Sequence, residues 1–288
     1  MNRLALGTVQ FGLEYGIANR QGRVSVAAGR QILEQGRKAG MDLLDTAIAY
    51  GDSEQRLGEI GTSEWQVVTK LPSVPDGCDD VDSWVSAEVK GSLSRLRRAN
   101  LSGLLLHRPE QLLSPFGDRL YAALVGVKKD GLVSKIGVSI YDPSELHALR
   151  RFRFDIVQAP FNVLDRRLLD TGWLGRLAGE GSELHVRSVF LQGLLLMTPS
   201  ERPGRFHRWA SLWSRWDGWL RDAGVTSLQG CLGFVLSFSE IDRIIVGVDD
   251  PQQLRQILEA VRNPVPQPPA ELTSLDVELV NPAGWAAL

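Results

Sequence analysis

Four side chains capable of acid–base chemistry lie at or just after the ends of three short apolar stretches. Asp45 closes the stretch MDLLD, and Tyr50 follows it five residues later. Lys70 ends the stretch WQVVTK, and His107 ends LSGLLLH. If these stretches are adjacent parallel strands, they lie about 4.8 Å apart, and the four side chains can converge on one spot.

The four side-chain types together suit the delivery of a proton to a carbonyl oxygen. A phenol has an ordinary pKa of about 10, but a nearby ammonium lowers that pKa by stabilising the phenolate. Asp45 would balance the charge of Lys70, and His107 would donate a hydrogen bond to an oxygen that gains negative charge. None of the four can attack the carbon, so a hydride from a nicotinamide cofactor is the natural partner.

The elements that must position these residues alternate between apolar stretches and helical patterns. Eight stretches are strand candidates, and several are almost continuously apolar, as is typical of parallel strands buried on both faces. The strand candidates cover residues 3–8, 41–46, 65–70, 101–109, 132–140, 154–162, 183–191 and 243–248. Helical patterns cover residues 24–40, 52–61, 80–100, 117–131, 142–151 and 250–262.

Eight strands alternating with helices in 288 residues predict an α/β protein, a closed (β/α)8 barrel spanning residues 1–288 as one domain. An open, doubly wound sheet is the alternative. It is less favoured because the turn after the first strand, GTVQFGLEYG, lacks the G-x-G-x-x-G spacing. In a barrel, chemistry lies at the carboxyl ends of the strands, where Asp45, Lys70 and His107 are predicted. Residues 196–240 contain no clear strand.

Composition and charge narrow the class of protein. The chain is 43% hydrophobic, and its net charge of −2 comes from 32 basic and 34 acidic residues that are well mixed, so we expect neither a nucleic-acid nor a membrane partner. No apolar run of about 18 residues predicts a transmembrane helix, and the N-terminus lacks a signal-peptide core. The chain has only two cysteines, which argues against a disulfide framework, so we expect a cytoplasmic protein. The four histidines fall on different elements, so we expect no metal site. The oligomeric state stays open.

The order of the motifs resembles that of the aldo-keto reductases. The motifs are DTAIAYGDSEQRLG (45–58), VVTK (67–70), LLLHRP (104–109), GVS (137–139), VQAPFNVLDR (157–166), SVFLQGLL (188–195) and IIVGVDDPQQL (244–254). Each motif alone is weak, whereas the ordered set spans nearly the whole chain. The resemblance implies a (β/α)8 barrel that binds NADP(H), less often NAD(H), and reduces a small carbonyl compound. It also implies that Asp45, Tyr50, Lys70 and His107 form the catalytic tetrad.

The resemblance further implies a set of residues that bind the cofactor. They are Gly7, Thr8, Asp45, Ser139, Gln158, Arg187, Ser188, Phe190, Gln192, Gly193, Gly247, Asp249 and Gln253. Ser139 and Gln158 match positions that hydrogen-bond the nicotinamide carboxamide. The stretch from Ser188 to Gly193 matches the loop that wraps the pyrophosphate, and the helix from about Pro251 matches the adenosine subsite.

Several positions depart from the family pattern. Ile140 replaces a polar residue, and Arg187 stands where an aromatic ring commonly stacks on the nicotinamide, although a guanidinium plane can also stack. In the adenosine subsite, Asp249 and Asp250 would repel the 2′-phosphate of NADP(H), which prefers arginine or lysine as a partner. Gln253 stands at a position where the family often has arginine. These residues predict weak discrimination, with NAD(H) used readily and NADP(H) still bound.

Other functions are open at this point. The same barrel could bind a nucleotide as a regulatory protein with little turnover, because fold does not decide function. An unrelated barrel isomerase or lyase could use Lys70 as a Schiff base. Each side chain alone also has an ordinary structural explanation, such as a turn residue for Asp45 or a surface position for Lys70. Their coincidence at three successive strand ends favours an NAD(P)H-dependent carbonyl reductase with Tyr50 as general acid.

Overall fold

Eight parallel strands close into a barrel in which each strand pairs with the next in the chain and the last returns to the first. The computed structural model describes residues 3–287. The strands are β1 (Leu4–Gly7), β2 (Leu43–Asp45), β3 (Gln66–Leu71), β4 (Gly103–Leu106), β5 (Ile136–Ser139), β6 (Ile156–Pro160), β7 (Glu183–Arg187) and β8 (Arg243–Gly247). The predicted (β/α)8 fold is confirmed, and the open sheet is excluded.

Helices follow the strands along the chain. They are α1 (Val9–Gly12), α2 (Val26–Lys38), α3 (Ser53–Ile60), α4 (Val81–Leu96), α5 (Gly117–Lys129), α6 (Ser144–Ala148), α7 (Arg167–Asp170), α8 (Trp173–Glu180), α9 (Ala210–Ala223), α10 (Ser227–Leu236), α11 (Pro251–Ala260) and α12 (Val277–Val280). Within the described range, no helix is both long and apolar enough to cross a membrane. The segment without predicted strands, 196–240, contains α9 and α10.

Side chains that point into the barrel form an apolar layer below its carboxyl-terminal opening. Inside the barrel, a cluster of buried apolar side chains is separate from the main core, and it consists of Ala5, Leu43, Val68, Leu105, Ile156 and Ile245. Residues two positions apart in a strand point to the same face. Two positions after each member of this cluster come Gly7, Asp45, Lys70, His107, Gln158 and Gly247. The apolar layer therefore supports a layer of polar and small residues at the carboxyl ends of the strands.

The seventh strand ends earlier than the sequence predicts. The prediction extended it over residues 183–191, whereas β7 stops at Arg187. Ser188, Leu191 and Gln192 have φ angles of 59°, 48° and 53°, in the left-handed region that an extended strand does not use. Leu191 continues the apolar pattern of the strand but is fully buried in the turn that follows. Hydrophobicity alone therefore could not locate the end of this strand.

Candidate active site

A buried ion pair joins the carboxyl ends of β2 and β3. Lys70 Nζ donates to both carboxylate oxygens of Asp45, at 2.8 and 2.7 Å, and to the carbonyl oxygen of Thr46 at 2.9 Å. The side chain of Lys70 is fully buried and that of Asp45 is 5% exposed. Burial lowers the pKa of the Lys70 ammonium, whereas Asp45 favours its charged form. Since an ammonium has three donors and all three are used, Lys70 is held in one position.

Tyr50 and His107 meet edge to face beside this ion pair. Their ring centroids are 5.8 Å apart, with an angle of 78° between the ring planes. Lys70 Nζ lies 5.1 Å from the centroid of the Tyr50 ring. No residue in the described part of the chain hydrogen-bonds the Tyr50 hydroxyl, and both rings line the same cavity. The structure thus brings together the four residues that the sequence predicts as catalytic.

Burial sets the protonation state of both rings. It raises the pKa of Tyr50 above its ordinary value; the Asp45 carboxylate raises this pKa further, and Arg187 lowers it. The rise in the pKa of Tyr50 is opposite to the lowering that the sequence predicted from Lys70, because loss of water outweighs the charge of Arg187. Burial, Lys70 and Arg187 together lower the pKa of His107 to about 3. At neutral pH, Tyr50 therefore carries its proton and His107 is uncharged.

Hydroxyl groups fix the start of α3 and thereby the loop that carries Tyr50. Ser53 Oγ donates to the carbonyl oxygen of Thr8 at 2.9 Å and lies 3.1 Å from the hydroxyl oxygens of Thr8 and Thr46. The same loop packs closely against α1, since a Cβ atom at Gly12 would lie 1.8 Å from the carbonyl oxygen of Tyr50. A side chain at Gly12 would displace the Tyr50 loop, which explains the glycine at this position.

Ser139 and Gln158 lie behind Asp45. Gln158 Nε2 donates to Asp45 Oδ1 at 2.7 Å, and Ser139 Oγ donates to Gln158 Oε1 at 3.2 Å. Both side chains are buried, as is that of Ile140, and none of the three lines the cavity. Ser139 and Gln158 therefore orient the Asp45 carboxylate in this structure. Their contact with a nicotinamide carboxamide stays a prediction.

A cavity of about 530 Å³ opens at the carboxyl ends of the strands, a size typical of small-molecule sites. Asp45, Tyr50 and His107 line it, and Lys70 lies behind Asp45. Most of the predicted cofactor-binding residues also line this cavity: Gly7, Thr8, Asp45, Arg187, Ser188, Phe190, Gln192, Gly193, Gly247, Asp249 and Gln253. The turn after β7 and the start of α11 thus face the tetrad across one continuous space.

Sequence reasoning missed part of the lining, which comes from α1, from the segments after α1 and β5, and from α11. The missed residues include Gln10, Tyr15, Gly16, Ala18, Asn19, Tyr141 and Gln256. The segment 13–22 bridges two other loops, because Gln192 Nε2 donates to Tyr15 Oη at 3.1 Å and Gln21 Nε2 donates to Asp250 Oδ2 at 2.8 Å. This segment has neither helical nor strand periodicity. Its one signal is its position in the connection that leaves the carboxyl end of β1, the end of the barrel where functional loops occur.

The end of the cavity near α11 offers hydrogen-bond acceptors without partners. Gln10 Oε1 and Asp249 Oδ1 are buried, and no described residue donates to them. Asp249 Oδ2 accepts from Gln253 Nε2 at 3.2 Å, and burial raises the pKa of Asp249. A Cβ atom at Gly247 would lie 2.5 Å from Gln10 Nε2, so glycine keeps this space open. Buried acceptors without partners suit the hydroxyl groups of a ribose, and a nicotinamide dinucleotide therefore fits the residues present.

The fold and the site together define a (β/α)8 barrel with a protonated phenol, a neutral imidazole and a buried lysine–aspartate pair at the mouth of one cavity. Within residues 3–287, no three His, Cys, Asp or Glu side chains are grouped in a way that could hold a metal ion. The sequence pattern of the aldo/keto reductase family matches residues 3–275, and the chain belongs to that family. Members of the family generally use nicotinamide dinucleotides and act on small carbonyl compounds.

Individual relatives agree with this assignment. The oxidoreductase SirO of Leptosphaeria maculans is 28% identical over 217 residues, which cover 72% of this chain and 65% of that protein, slightly less than two thirds of its length. Two solved structures each have a TM-score of 0.71 and 20% identity, and the alignments cover 92% of this chain and 88% of theirs. They are the holo form of an aldo-keto reductase from Bacillus halodurans and a glycerol dehydrogenase from Gluconobacter oxydans. The structures show the shared fold, and the family match supports oxidoreductase activity.

Proposed function

We propose that this protein reduces an aldehyde or ketone to an alcohol, with Tyr50 as the general acid and a nicotinamide dinucleotide as the hydride donor. The observation that carries the proposal is the position of Tyr50. Its protonated phenol lines the cavity beside the neutral His107 ring and next to the buried pair of Lys70 and Asp45. Membership of the aldo/keto reductase family supports the same reaction type.

Each residue of the tetrad has a separate role in the proposed proton transfer. A carbonyl oxygen in front of Tyr50 and His107 meets two neutral hydrogen-bond donors. Tyr50 gives its proton to this oxygen as negative charge develops there, and the N–H group of His107 stabilises that charge. The Lys70 ammonium, held by Asp45, stabilises the phenolate that is left. When bound, the reduced dinucleotide supplies the hydride.

The two alternative functions have less support. A Schiff base requires an unprotonated lysine that reaches the substrate, whereas Lys70 is fully buried and donates to Asp45 and Thr46. Trapping with borohydride is expected to leave Lys70 unmodified. A regulatory barrel would bind the dinucleotide and reduce no carbonyl compound, so it is distinguished by turnover and not by binding.

Dinucleotide binding followed by turnover tests the proposed function. Fluorescence titrations with NADH and NADPH at one ionic strength are expected to give a Kd for NADH no higher than that for NADPH. The reason is that Asp249 presents a buried acceptor to a free 2′-hydroxyl and repels a 2′-phosphate. A panel of aldehydes and ketones is then expected to consume NADH, measured by its absorbance. Binding without consumption by any member of the panel would favour the regulatory barrel.

An Asp249→Asn variant provides the matched test of the cofactor subsite. It is expected to move the preference towards NADPH, because the negative charge beside the ribose is removed, whereas Asp222→Asn on α9, outside the cavity, is expected to change neither Kd. A preference of the wild-type protein for NADPH above about 100-fold, near 2.7 kcal/mol, would contradict the assignment of this subsite.

The pH dependence is expected to differ between the two directions of the reaction. Reduction needs protonated Tyr50, and its raised pKa keeps it protonated throughout pH 6–9. The pKa of His107, about 3, keeps that ring neutral over the same range. The kcat for reduction should therefore vary by less than about threefold. Alcohol oxidation needs the phenolate, whose fraction rises with pH, so its kcat should increase by up to about tenfold per pH unit. The same pH dependence of kcat in both directions would argue against Tyr50 as the general acid.

A further inference from the structure

Arg187 brings a positive charge without a counter-charge to the catalytic end of the cavity. It is the last residue of β7 and lines the cavity with Tyr50 and His107. Its Nη2 donates to the carbonyl oxygen of Ile140 at 2.9 Å, and its Nη1 donates to the hydroxyl oxygen of Ser188 at 3.3 Å. No carboxylate in the described part of the chain forms an ion pair with it. Asp45 does not supply a counter-charge, because its carboxylate already pairs with Lys70.

Arg187 is partly buried, and among the described residues it differs from two of the three buried arginines in having no carboxylate partner. Arg202 forms a two-pronged pair with Asp217, with N···O distances of 2.7 and 2.5 Å, and Arg167 pairs with two aspartates. The third, Arg166, donates only to backbone carbonyl oxygens and does not line the cavity. Withdrawing a cation from water is costly unless an anion pairs with it. Arg187 uses two of the five N–H groups of a guanidinium on neutral oxygens and keeps three for a ligand.

The guanidinium of Arg187 is already oriented. Its Cζ atom lies 4.7 Å from the centroid of the Tyr141 ring, which lines the same cavity. Its charge also lowers the pKa values of Tyr50, His107 and Lys70, as expected for a cation close to the tetrad. A side chain ordered before binding loses less entropy when a ligand arrives, so this arginine is suited to ligand recognition.

We propose that Arg187 binds a negatively charged group of the substrate, so that the preferred substrates are carbonyl compounds that carry a carboxylate or phosphate. The inference rests on the proposed carbonyl reduction. A guanidinium can bind both oxygens of a carboxylate or phosphate in parallel. The pyrophosphate of a dinucleotide offers the same chemistry, and the family resemblance implies a cofactor contact here. The location of Arg187 beside Tyr50 and His107 favours the substrate.

Paired substrates test this assignment. The probes are straight-chain oxo-carboxylates of increasing length, each compared with its uncharged methyl ester. For the best length, kcat/KM of the wild-type protein is expected to be about 10- to 100-fold higher for the carboxylate than for the ester, the range of a hydrogen bond to a charged group. Equal values for every pair would overturn the role of Arg187 and leave carbonyl reduction intact. Reduction of neither compound would count against the proposed function instead.

Variants separate the substrate from the dinucleotide. Arg187→Met is expected to lower kcat/KM for the carboxylate by about 10-fold or more beyond any change for the ester, and so to remove the advantage of the carboxylate. Arg187→Lys is expected to restore part of that advantage. Arg221→Met is the control, because Arg221 lies on α9, is exposed and does not line the cavity. Equal losses on both substrates, with a weaker Kd for NADH, would assign Arg187 to the dinucleotide and overturn the proposal.

A binding measurement tests Arg187 without any turnover. Saturated carboxylates of the same lengths, which have no carbonyl group to reduce, are titrated into the protein in the presence of NADH by calorimetry. The wild-type protein is expected to bind the best of them about 10-fold or more tightly than Arg187→Met does. Equal affinities would overturn the proposal whether or not a carbonyl substrate is found.

Discussion

Replacing Tyr50 by phenylalanine is expected to lower kcat for carbonyl reduction by about 10²- to 10⁴-fold, the range attributed to a positioned general acid. The change removes the donated proton and keeps the ring that packs against His107 at a centroid distance of 5.8 Å. No described residue hydrogen-bonds the Tyr50 hydroxyl, so the free energy of unfolding should hardly change. Steady-state kinetics on the best aldehyde, with thermal denaturation in parallel, make the measurement.

A second tyrosine provides the control for this experiment. Tyr121 lies on α5 outside the cavity, and its hydroxyl hydrogen-bonds the backbone of Arg153. Tyr121→Phe is expected to keep kcat, even if it lowers stability slightly. The Kd for NADH should be the same in both variants, because the phenol of Tyr50 is proposed to face the substrate. Full kcat in Tyr50→Phe would show that another group donates the proton.

Breaking the buried ion pair is the second change with a large expected effect. Lys70→Met removes the cation that stabilises the phenolate, and kcat should fall by about 10²-fold or more, as when a preorganised electrostatic group is lost. It also leaves the Asp45 carboxylate buried without a counter-charge, which costs roughly 3–5 kcal/mol of stability. Asp45→Asn leaves the ammonium unpaired and should have similar effects. Circular dichroism should still report a folded barrel for both.

The double variant separates catalysis from stability. Lys70→Met combined with Asp45→Asn removes both charges, so its loss of stability should be smaller than the sum of the two single losses. Its kcat should stay as low as that of Lys70→Met. Lys128→Met is the matched control, because Lys128 pairs with Asp155 in the same two-pronged way but is 38% exposed, and such pairs contribute about 0–1 kcal/mol. Recovered turnover in the double variant would rule out a chemical role for Lys70.

Much of the fold and the tetrad follows from local features of the sequence. Short apolar stretches alternate with helical periodicity, and this pattern alone favours a parallel barrel. Asp45, Lys70 and His107 each come two residues after an inward-facing apolar residue, at Leu43, Val68 and Leu105. Because the period of a strand is two residues and parallel strands end at the same rim, their convergence could be predicted without coordinates.

The cofactor end of the site was predicted only in part. Gly247, Asp249 and Gln253 line the cavity, since Gly247 ends β8 and the other two lie just after it or in the first turn of α11. Their contact with a cofactor stays a prediction. The contribution of segment 13–22 was missed, because a loop without periodicity gives no indication of where it crosses the barrel. The end of β7 was also misplaced, since left-handed backbone angles at Ser188 are not visible in an apolar pattern.

The sequence by itself determined which chemical groups this protein has and at which strand ends they lie, because residue type and periodicity are local properties. Only the tertiary structure decided how those groups are charged and which partners they have. Burial raises the pKa of Tyr50 where a neighbouring lysine suggested the opposite, and Gln158 donates to Asp45 where a contact with cofactor was expected. The tertiary structure also leaves Arg187 without a carboxylate partner among the described residues. Protonation states and interaction partners depend on the exclusion of solvent and on distances between residues that are remote in sequence. Neither quantity can be predicted from local sequence.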